Sequence, residues 1–309
     1  MRMAKNDSIG MNQKKKIKLG KEDKFFYTIC YSIVIVLTLI VLYPIIYIVS
    51  ASFSDAAAVT QGKVWLWPVE FSTGAYQLLL KDDGLWIGYR NTIFYTILGT
   101  LINVSMELMC AYAMSRKELY GKKFFNLFFI FTMFFGGGMI PNYLLVKSLG
   151  MLDTIWALVL PGAMSVYNMI VARTFIKSSI PEELLEASLI DGCGDGKYFF
   201  KIVLPLSKSI IAVLCLWSAV AHWNAYFDAF LYITDEKLYP LQIFVRELLV
   251  QSDMGDALIQ DGLSGEGLQN FKNLMKYAVI VVTTVPLFAF YPFVQKHFVK
   301  GVMVGSVKG

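Results

Sequence analysis

The sequence predicts an all-α, polytopic membrane protein with six transmembrane helices, and three observations support this fold class. Of its 309 residues, 56% are hydrophobic, and the mean hydropathy is +0.55, well above that of ordinary soluble domains. Only 17% of the residues are charged, and they lie in groups between long apolar runs. The runs show no strand-like alternation, and lipid requires every backbone polar group to be paired internally, so we expect helices.

Six apolar runs, each near the roughly 20 residues that span the ~30 Å bilayer core, define the predicted spans. The first, residues 25–50, carries no charge and precedes a predicted outer loop, residues 51–90. It is longer than the ~7–15 apolar residues of a signal peptide, which favours an uncleaved anchor over a cleaved signal. The other five fall in a predicted five-helix core, residues 91–295. They are residues 91–115, 124–146, 154–172, 209–234 and 277–295.

Basic residues predict the orientation. Most of the 28 Lys and Arg residues lie in segments that are cytoplasmic if the N-terminus is inside, as the positive-inside rule requires. Residues 1–24 form a predicted basic cytoplasmic arm, and residues 296–309 form a predicted cytoplasmic tail. We therefore expect a multi-pass protein of the plasma membrane with both termini in the cytoplasm. The arm is interpreted as a topology signal beside anionic lipid, and no nucleic-acid partner is expected.

Metal and redox chemistry find no support in the sequence. The four cysteines lack the spacing of a metal site, and only two histidines are present. No metal site, catalytic residue or cofactor is therefore predicted on this chain. The cysteines are Cys30, Cys110, Cys193 and Cys215.

A glycine-rich stretch, DGCGDGK from Asp191 to Lys197, looks at first like a phosphate-binding loop. A Walker A loop needs four residues between its glycines and Ser or Thr after the lysine. Here the segment from Gly192 to Gly196 encloses three residues, and Tyr198 follows the lysine. The stretch is therefore not predicted to bind nucleotide.

The surrounding segment instead predicts two short helices joined by a turn. Ser179 and Glu182 have the spacing of a capping box, and the first helix is expected to run to about Asp191. Gly192 falls where a left-handed residue would end that helix, and a second helix is expected from about Asp195. The apolar residues of this segment are too numerous for a free loop, so a partner surface is expected.

The residues of this segment resemble the EAA loop of permease subunits in ABC importers. The pattern E-A-A-x-x-D-G, about nine residues, then I-x-L-P is matched throughout, with Ser188 in place of the second alanine. The stretch FFGGGMIP, residues 134–141, and the ending FVKGVMVGSVKG resemble maltose-type carbohydrate permeases. They are closest to the subgroup that handles oligosaccharides with lipoprotein partners. The resemblance extends from about Phe25 to the C-terminus.

The resemblance implies a type I ABC importer permease fold and a transport subunit rather than an enzyme. The implied partners are a second homologous permease, a cytoplasmic ABC ATPase dimer that carries ATP and Mg²⁺, and an extracellular solute-binding lipoprotein. The implied substrate is a carbohydrate, and the resemblance to the subgroup implies an oligosaccharide. Residues 177–208 would form the loop that couples to the ATPase. Its coupling residues would be Leu185, Glu186, Ala187, Leu189, Asp191, Gly192, Ile202, Leu204 and Pro205. A C-terminal ATPase contact would involve Gly301, Gly305, Lys308 and Gly309.

A sugar pathway is predicted in the fifth span. Sugars offer apolar faces and hydroxyl groups, which suit aromatic side chains beside amides and carboxylates. The stretch provides both, but aromatic anchoring at the outer interface against the partner permease is an equally open interpretation. The residues are Trp217, Trp223, Asn224, Tyr226 and Asp228.

Three other features carry expectations. Glu107 is interpreted as an interhelical hydrogen-bond partner because a carboxyl group inside a span is costly unless it faces protein or water. The run Gly136–Gly138 followed by Pro141 should break the third helix near its outer end. The outer loop 235–272 is expected to contact the solute-binding protein.

Two rival functions remain open at this stage. A secondary transporter of small solutes, driven by an ion gradient, would need its own coupling site among inverted repeats, and none is visible. An intramembrane enzyme could use Ser218 and His222, which are one helical turn apart. No glycine motif of a nucleophile surrounds Ser218.

Overall fold

The computed structural model describes residues 20–260 and 274–289, and within them the regular structure is helical without a strand. Two helices are long, α1 (Lys21–Ser52) and α4 (Asp83–Ser115). The predicted tail residues Gly301, Gly305, Lys308 and Gly309 lie outside the described residues, as does most of the basic arm. The other helices up to residue 179 are shorter. They are α2 (Ala56–Thr60), α3 (Gly74–Leu79), α5 (Lys122–Phe134), α6 (Met139–Ser148), α7 (Trp156–Val159) and α8 (Val166–Ser179).

The C-terminal half is organised around a bent segment. The helices are α9 (Glu182–Ile190), α10 (Asp195–Tyr198), α11 (Leu204–Leu206), α12 (Lys208–Trp223), α13 (Phe227–Tyr232), α14 (Leu241–Gln260) and α15 (Leu274–Ala289). A π-helical turn, Phe199–Val203, joins α10 to α11, and a 3₁₀ turn, Glu236–Leu238, precedes α14. The predicted outer loop 235–272 therefore contains a long helix.

By length and composition, two described helices could cross a membrane, α1 and α4, or up to four if each of two bent pairs is one span. The bent pairs are α5 with α6 and the α10–α11 segment with α12. The six-span layout is thus not confirmed. The predicted span 154–172 is interrupted because Pro161 and Gly162 separate α7 from α8, whose first turn is capped by Ser165.

The break predicted at the glycine run is confirmed. Helix α5 ends at Phe134, α6 begins at Met139, and their axes differ by 111°. Gly138 has a φ of +87°, a conformation that glycine adopts without the steric cost of a Cβ atom.

The chain divides into two compact units, residues 1–47 and 48–309. The first unit contains most of α1, and the most apolar window of that helix has no residue buried. Its side chains are overwhelmingly aliphatic and aromatic, from Phe25 to Tyr47. A surface of this composition requires lipid or another protein around it.

The core of the second unit is formed by α4, α8, α12 and the bent segment between α8 and α12. Apolar side chains of these elements pack against one another there, and several of the residues have no exposed surface. The buried members are Val104, Leu108, Ala111, Met114, Met169, Ala172, Ile176, Tyr198, Phe199, Val203, Ile210, Val213 and Leu214. The bent segment is therefore part of the same core as the two helices that it connects.

The N-terminal end of α4 is fastened to residues 237–241. The Asn91 side chain donates to the carbonyl oxygens of Lys237 at 2.7 Å and Tyr239 at 3.0 Å. The Tyr95 hydroxyl donates to the carbonyl of Leu238 at 2.9 Å. The Leu241 amide donates to Thr92 Oγ1 at 2.8 Å. These bonds satisfy backbone groups that would otherwise be unpaired at the start of α14.

Candidate functional site

The candidate site is the bent segment from α9 to α11, which we call the elbow. Helix α9 begins after Pro181, its N-cap, and carries Glu182 and Glu183 in its first turn, where carboxylates complement the helix dipole. The predicted capping box is wrong. Ser179 is the last residue of α8 rather than a cap of α9, and its hydroxyl has no hydrogen-bond partner in the described part of the chain.

The predicted glycine turn of the elbow is confirmed in detail. Gly192 has a φ of +68° and no atom within contact distance of a Cβ position. Its amide donates to the Leu189 carbonyl at 3.0 Å, and the Cys193 amide donates to the Ser188 carbonyl at 2.8 Å. This is the paired hydrogen bonding of a Schellman motif, which ends α9 and satisfies its last carbonyls.

The second half of the elbow is anchored in the core by some of its side chains, while others, such as Phe200 at 64% exposed, face outward. Tyr198, Phe199 and Val203 belong to the core of the second unit. The predicted single second helix is instead α10, a π-helical turn and α11. Pro205 has no N–H to donate to the preceding turn, which accounts for an irregular ladder at this point. The elbow then turns by 82° into α12.

The first half of the elbow presents an exposed surface. Only Ser188 of α9 is buried, and its hydroxyl donates to the Leu185 carbonyl at 2.7 Å. Leu189 is 54% exposed and Ile190 is 86% exposed. Leu185 differs, because it packs partly buried against this chain's own core.

The other predicted coupling residues divide between surface and interior. Ile202 and Leu204 are partly buried against the core of the second unit. The remaining members are exposed. They are Glu186, Ala187, Asp191, Gly192 and Pro205. Two helical turns with exposed apolar side chains in an otherwise packed region are typical of a docking surface.

Two charged links attach the elbow to the C-terminal end of α4. In the first, Asp195 Oδ1 lies 3.4 Å from Arg116 Nη2 and accepts a 3.1 Å hydrogen bond from the Tyr112 hydroxyl. The Tyr112 ring also lies 5.2 Å from the ring of Phe199. The Arg116 side chain is 16% exposed. We call this group the α4–elbow link.

The second link joins Lys117 Nζ to Glu182 Oε2 at 2.6 Å. The hydrogen bond and charge of Glu182 raise the pKa of Lys117 above its ordinary value. A raised lysine pKa means that this pair is present at neutral pH and is lost only as the pH rises through the raised value. The two links border a cavity of about 570 Å³, which Leu185 and Tyr198 also line.

The predicted sugar residues do not form one surface. Trp223 is buried, lies edge-on to Tyr89, and donates its indole N–H to the Thr283 carbonyl at 3.3 Å. Asn224 donates to the Val220 carbonyl of its own helix. The rest are more open: Trp217 lies beside the Tyr167 ring, while Tyr226 and Asp228 are exposed.

The interpretation of Glu107 as an interhelical partner is confirmed. The residue is fully buried, and its Oε1 accepts from Asn168 Nδ2 at 2.9 Å and from the Ser165 amide at 3.2 Å. These bonds join α4 to the start of α8. The Ser218 hydroxyl and His222 Nε2 have no hydrogen-bond partner among the described residues, so the pair is not assembled as a nucleophile and base.

An acidic cavity lies at the start of α4, whereas the elbow contacts the other end of this helix. Asp82, Asp83, Glu236 and Glu247 line a cavity of about 560 Å³. Burial, followed by the charge of Glu236, raises the pKa of Glu247. An acidic cavity of this kind disfavours additional negative charge nearby.

A carboxylate also holds the turn between α6 and α7. Asp153 accepts from the Thr234 hydroxyl at 2.8 Å and from the Asp235 amide at 3.1 Å, in addition to the Thr234 amide. These bonds, the Thr234 amide first, lower the pKa of Asp153. The turn is thereby tied to the segment that leads into α14.

Several residues of the site escape sequence reasoning. Arg116, Lys117 and Tyr112 are far from the elbow along the chain, and no local pattern pairs them with Asp195 or Glu182. Ile190 adjoins the motif but is not one of its defining positions. The one available signal is a cluster of basic residues at the end of a predicted span.

Comparison with known proteins places this geometry in context. Residues 84–304 match the family described as binding-protein-dependent transport system inner membrane component. The polygalacturonan/rhamnogalacturonan transport system permease protein YtcP of Bacillus subtilis (strain 168) is 39% identical, covering 93% of this chain and 100% of that protein. Protein LplC of the same organism is 39% identical, covering 87% of this chain and 90% of that protein.

A solved structure is similar over nearly the whole chain. It is the crystal structure of a bacterial ABC transporter involved in the import of the acidic polysaccharide alginate. The similarity has a TM-score of 0.79 and 33% sequence identity, and it covers 92% of this chain and 100% of that chain.

Proposed function

Because this chain belongs to the inner membrane components of binding-protein-dependent transport systems, we propose that it is the permease subunit of an ATP-driven carbohydrate importer. It performs no covalent chemistry. The observation that carries the proposal is the elbow, whose first helix is exposed while its second half is built into the core between α4, α8 and α12. Helix α9 can therefore bind a partner at the surface, and a movement of α9 can be transmitted to the spans through the core residues that follow it.

The proposed partner on the elbow is the cytoplasmic ABC ATPase dimer, which carries ATP and Mg²⁺. Leu189 and Ile190 would supply the apolar contact, and Glu186 would face a basic residue of the ATPase. Gly192 would keep the turn tight. Leu185 contacts this chain's own core, so we assign it to holding α9 in place.

The proposed mechanism is a change of access driven by ATPase closure. When α9 moves with the ATPase, the α4–elbow link passes the motion to α4, and the turn at Ser207 passes it to α12. Two spans thus receive the displacement, each through its own contact. Alternation between outward and inward access follows if this shifts the two helices relative to each other and to the rest of the bundle.

The finer topology is part of the proposal. Six spans follow from the six apolar runs, and the uncleaved first helix follows from the length of the first run. The cytoplasmic termini follow from the distribution of Lys and Arg along the sequence. A second homologous permease would cover exposed apolar helices such as α5, which has no buried residue and carries a row of phenylalanines. A solute-binding lipoprotein would dock outside, on the segment that contains α14.

The C-terminal tail is proposed to reach the ATPase through Gly301, Gly305, Lys308 and Gly309. Deletion of residues 305–309 is expected to lower the ATP hydrolysis that accompanies uptake while leaving insertion and assembly intact. Unchanged ATP hydrolysis and uptake in the truncated complex would remove the tail from the mechanism.

The proposed substrate is an oligosaccharide. YtcP is named for polygalacturonan and rhamnogalacturonan, and the solved structure for alginate, so oligosaccharides of uronic acids are the first candidates. Trp217 beside Tyr167, with exposed Tyr226 and Asp228, offers aromatic and polar groups for sugar contact. Trp223 and Asn224 are retained as solute-path candidates, although both make structural hydrogen bonds.

The decisive experiment is purification of this chain from its native membrane with its partners, followed by reconstitution in proteoliposomes. We expect an ATPase with a Walker A motif and a second permease to be retained. Uptake of galacturonide oligosaccharides, with neutral oligosaccharides as the comparison, is expected to require ATP and the binding protein. Uptake by the chain alone, driven by an ion gradient without ATP, would instead support the secondary transporter.

A further inference from the structure

Polar side chains form a row along one face of α4. Thr96, Thr100, Asn103 and Glu107 are separated by four, three and four residues, which places them on the same side of a helix. Helix α12 carries a second row, Cys215, Ser218 and His222, at the same helical spacing. Both rows lie within apolar segments that are interpreted as membrane spans.

The two rows face each other. A Cβ atom on Gly99 would lie 2.4 Å from His222 Cε1 and Nε2, so the His222 ring packs directly on the α4 backbone. Cys215 lies within electrostatic range of Glu107. The Gly99–His222 contact, together with the proximity of Glu107 to Cys215, indicates that α4 and α12 run antiparallel. The rise from Gly99 to Glu107 is about 12 Å and that from Cys215 to His222 about 10.5 Å.

The matching rise brings the middle members level. Asn103 on α4 and Ser218 on α12 are therefore expected at the same depth, between the Gly99–His222 contact and the Glu107–Cys215 contact. We call this arrangement the α4–α12 seam. It is a ladder of three polar levels inside the membrane region.

The seam is buried but its hydrogen bonding is incomplete. Asn103 is 7% exposed, Glu107 is 0% exposed and Ser218 is 3% exposed. Among the described residues, buried polar atoms at each of the three levels of the seam have no hydrogen-bond partner. These atoms are Thr96 Oγ1, Thr100 Oγ1, Asn103 Oδ1, Glu107 Oε2, Ser218 Oγ and His222 Nε2.

Such a row is not explained by packing alone. A buried polar group without a partner is rare and unfavourable, and a purely structural contact between spans would use small residues, or polar residues that hydrogen-bond across the two helices. Polar residues that served only to hold the helices together would be paired with one another, as Glu107 Oε1 is with Asn168. The unpartnered atoms instead fit a surface that meets water or solute in another state.

We propose that the α4–α12 seam is a wall of the solute pathway that is closed in this structure and opens during the transport cycle. Its carboxylate, amide, imidazole and hydroxyl groups can donate to and accept from sugar hydroxyls and water. The proposal rests on the proposed importer function and extends the solute path from the outer aromatic residues to the middle of the membrane.

The elbow is connected to both sides of the seam. The inner end of α4 is held by the α4–elbow link, and α12 continues directly from the elbow through Ser207. A displacement of the elbow therefore acts on both helices, but through different contacts. Relative movement of α4 and α12 would separate the two rows and admit water.

The test is the accessibility of single cysteines in the assembled complex. The native cysteines are replaced by serine, and Ser218→Cys and Asn103→Cys are introduced separately. A third variant keeps only the native Cys215, which needs no new side chain. Ser105→Cys is the matched control, because Ser105 lies on the same helix but is exposed on another face. The probe is a charged methanethiosulfonate reagent, which reacts with thiolates that contact water.

Labelling is compared between the nucleotide-free complex and the complex trapped with ATP and vanadate. We expect the seam cysteines to label about tenfold faster in one state, a change equivalent to about 1.4 kcal/mol in the equilibrium between closed and open seams. The Ser105→Cys control should label equally in both. Equal rates in both states for all three seam positions would overturn the proposal.

Two separate measurements distinguish this proposal from the importer function. ATP-dependent oligosaccharide uptake by the complex with its native cysteines tests the function, and labelling of the cysteine variants tests the seam. Uptake without state-dependent labelling would reject the seam alone, whereas absence of ATP-driven uptake in a complex assembled with every partner would reject the proposed function.

Discussion

Gly192 illustrates how much a single backbone conformation contributes to the elbow. Its φ of +68° lies in the left-handed region, and the space around its Cα is open. A side chain there would cost backbone energy without creating a steric clash. The residue therefore matters for the direction of the chain rather than for packing.

We expect Gly192→Ala to weaken coupling while insertion is preserved. Holding a non-glycine residue in the left-handed conformation costs about 1–2 kcal/mol, so the turn should relax and α9 should lose its fixed direction. The measurement is uptake per ATP hydrolysed, with an expected several-fold decrease. Gly194→Ala is the control because Gly194 has no positive φ and is equally open. A normal ratio in Gly192→Ala would contradict this role.

At Gly99 the constraint is the lack of room for a side chain rather than the backbone conformation. An added methyl group would overlap the His222 ring, with atoms only 2.4 Å away. Overpacking of this kind costs about 1–3 kcal/mol, so Gly99→Ala should lower the thermal stability of the detergent-solubilised complex. His222→Ala in the same chain should restore most of the loss. Gly136→Ala, in open space, should have little effect.

At the scale of elements, the α4–elbow link joins two parts of the core that local sequence does not pair. Asp195 is 70% exposed at its side chain, and exposed ion pairs contribute little to stability. Asp195 is important for its location rather than for stability, because it contacts both Arg116 and Tyr112 at the end of α4.

Asp195→Asn should therefore uncouple transport without unfolding the chain. The loss of charge weakens the contact with Arg116, and we expect uptake per ATP hydrolysed to fall while the melting temperature stays within a few degrees. Lys197→Gln, on the same short helix, is the matched control. An exchange of the two charges, Arg116→Asp with Asp195→Arg, should recover part of the coupling. Failure of Asp195→Asn to change that ratio would exclude the link.

The turn at Asp153 makes a pH-dependent prediction. Its hydrogen bonds hold the pKa below the ordinary aspartate value, so its contribution is present above about pH 4 and is lost as the pH falls through the lowered value. Hydrogen exchange at the Thr234 and Asp235 amides, corrected for intrinsic rates, should be unchanged between about pH 8 and about pH 5.

In Asp153→Ala the same two amides should exchange faster throughout this pH range. Asp235→Asn serves as the comparison, since its side chain accepts from the Lys237 amide in a neighbouring turn. Loss of protection in the unchanged chain near pH 5 would show that the carboxylate is not held in this way.

Sequence reasoning was accurate where the determinant is local. The turn at Gly192 that ends α9 and the break after Phe134 both depend on a glycine with a positive φ. Other residues adopt this conformation only at an energetic cost, so the glycines in the sequence were enough to predict both features. The capping box at Ser179 failed because α8 continues through that residue, and continuation depends on packing of α8 against α4. Arg116 and Asp195 meet only because the core folds the elbow back, so no spacing rule could pair them.

At the scale of the whole molecule, α4 connects the outer segment to the elbow. Its 33 residues extend about 50 Å. Asn91 and Tyr95 donate hydrogen bonds to residues 237–239, and Thr92 accepts one from the Leu241 amide, at one end of the helix. Arg116 holds Asp195 at the other end. The interior is a single uninterrupted helix, unlike the α5–α6 pair.

Asn91→Leu should weaken this connection at its outer end. It leaves the Lys237 and Tyr239 carbonyls without their donor, at a cost of about 1–3 kcal/mol. We expect the binding protein to stimulate ATP hydrolysis less in this variant, while hydrolysis without binding protein is unchanged. Gln77→Leu, at an exposed position of α3, controls for a polar-to-apolar change that leaves no carbonyl group of residues 237–241 without its donor. Full stimulation in Asn91→Leu would argue against transmission through α4.

A helix held at both ends has a thermodynamic consequence. If docking outside favours one position of α4 and nucleotide binding inside favours the same position, each event must strengthen the other by one common factor. The factor by which the binding protein raises the complex's affinity for ATP must then equal the factor by which ATP raises its affinity for the binding protein. Titrations from the two sides of one membrane would therefore return a single coupling free energy.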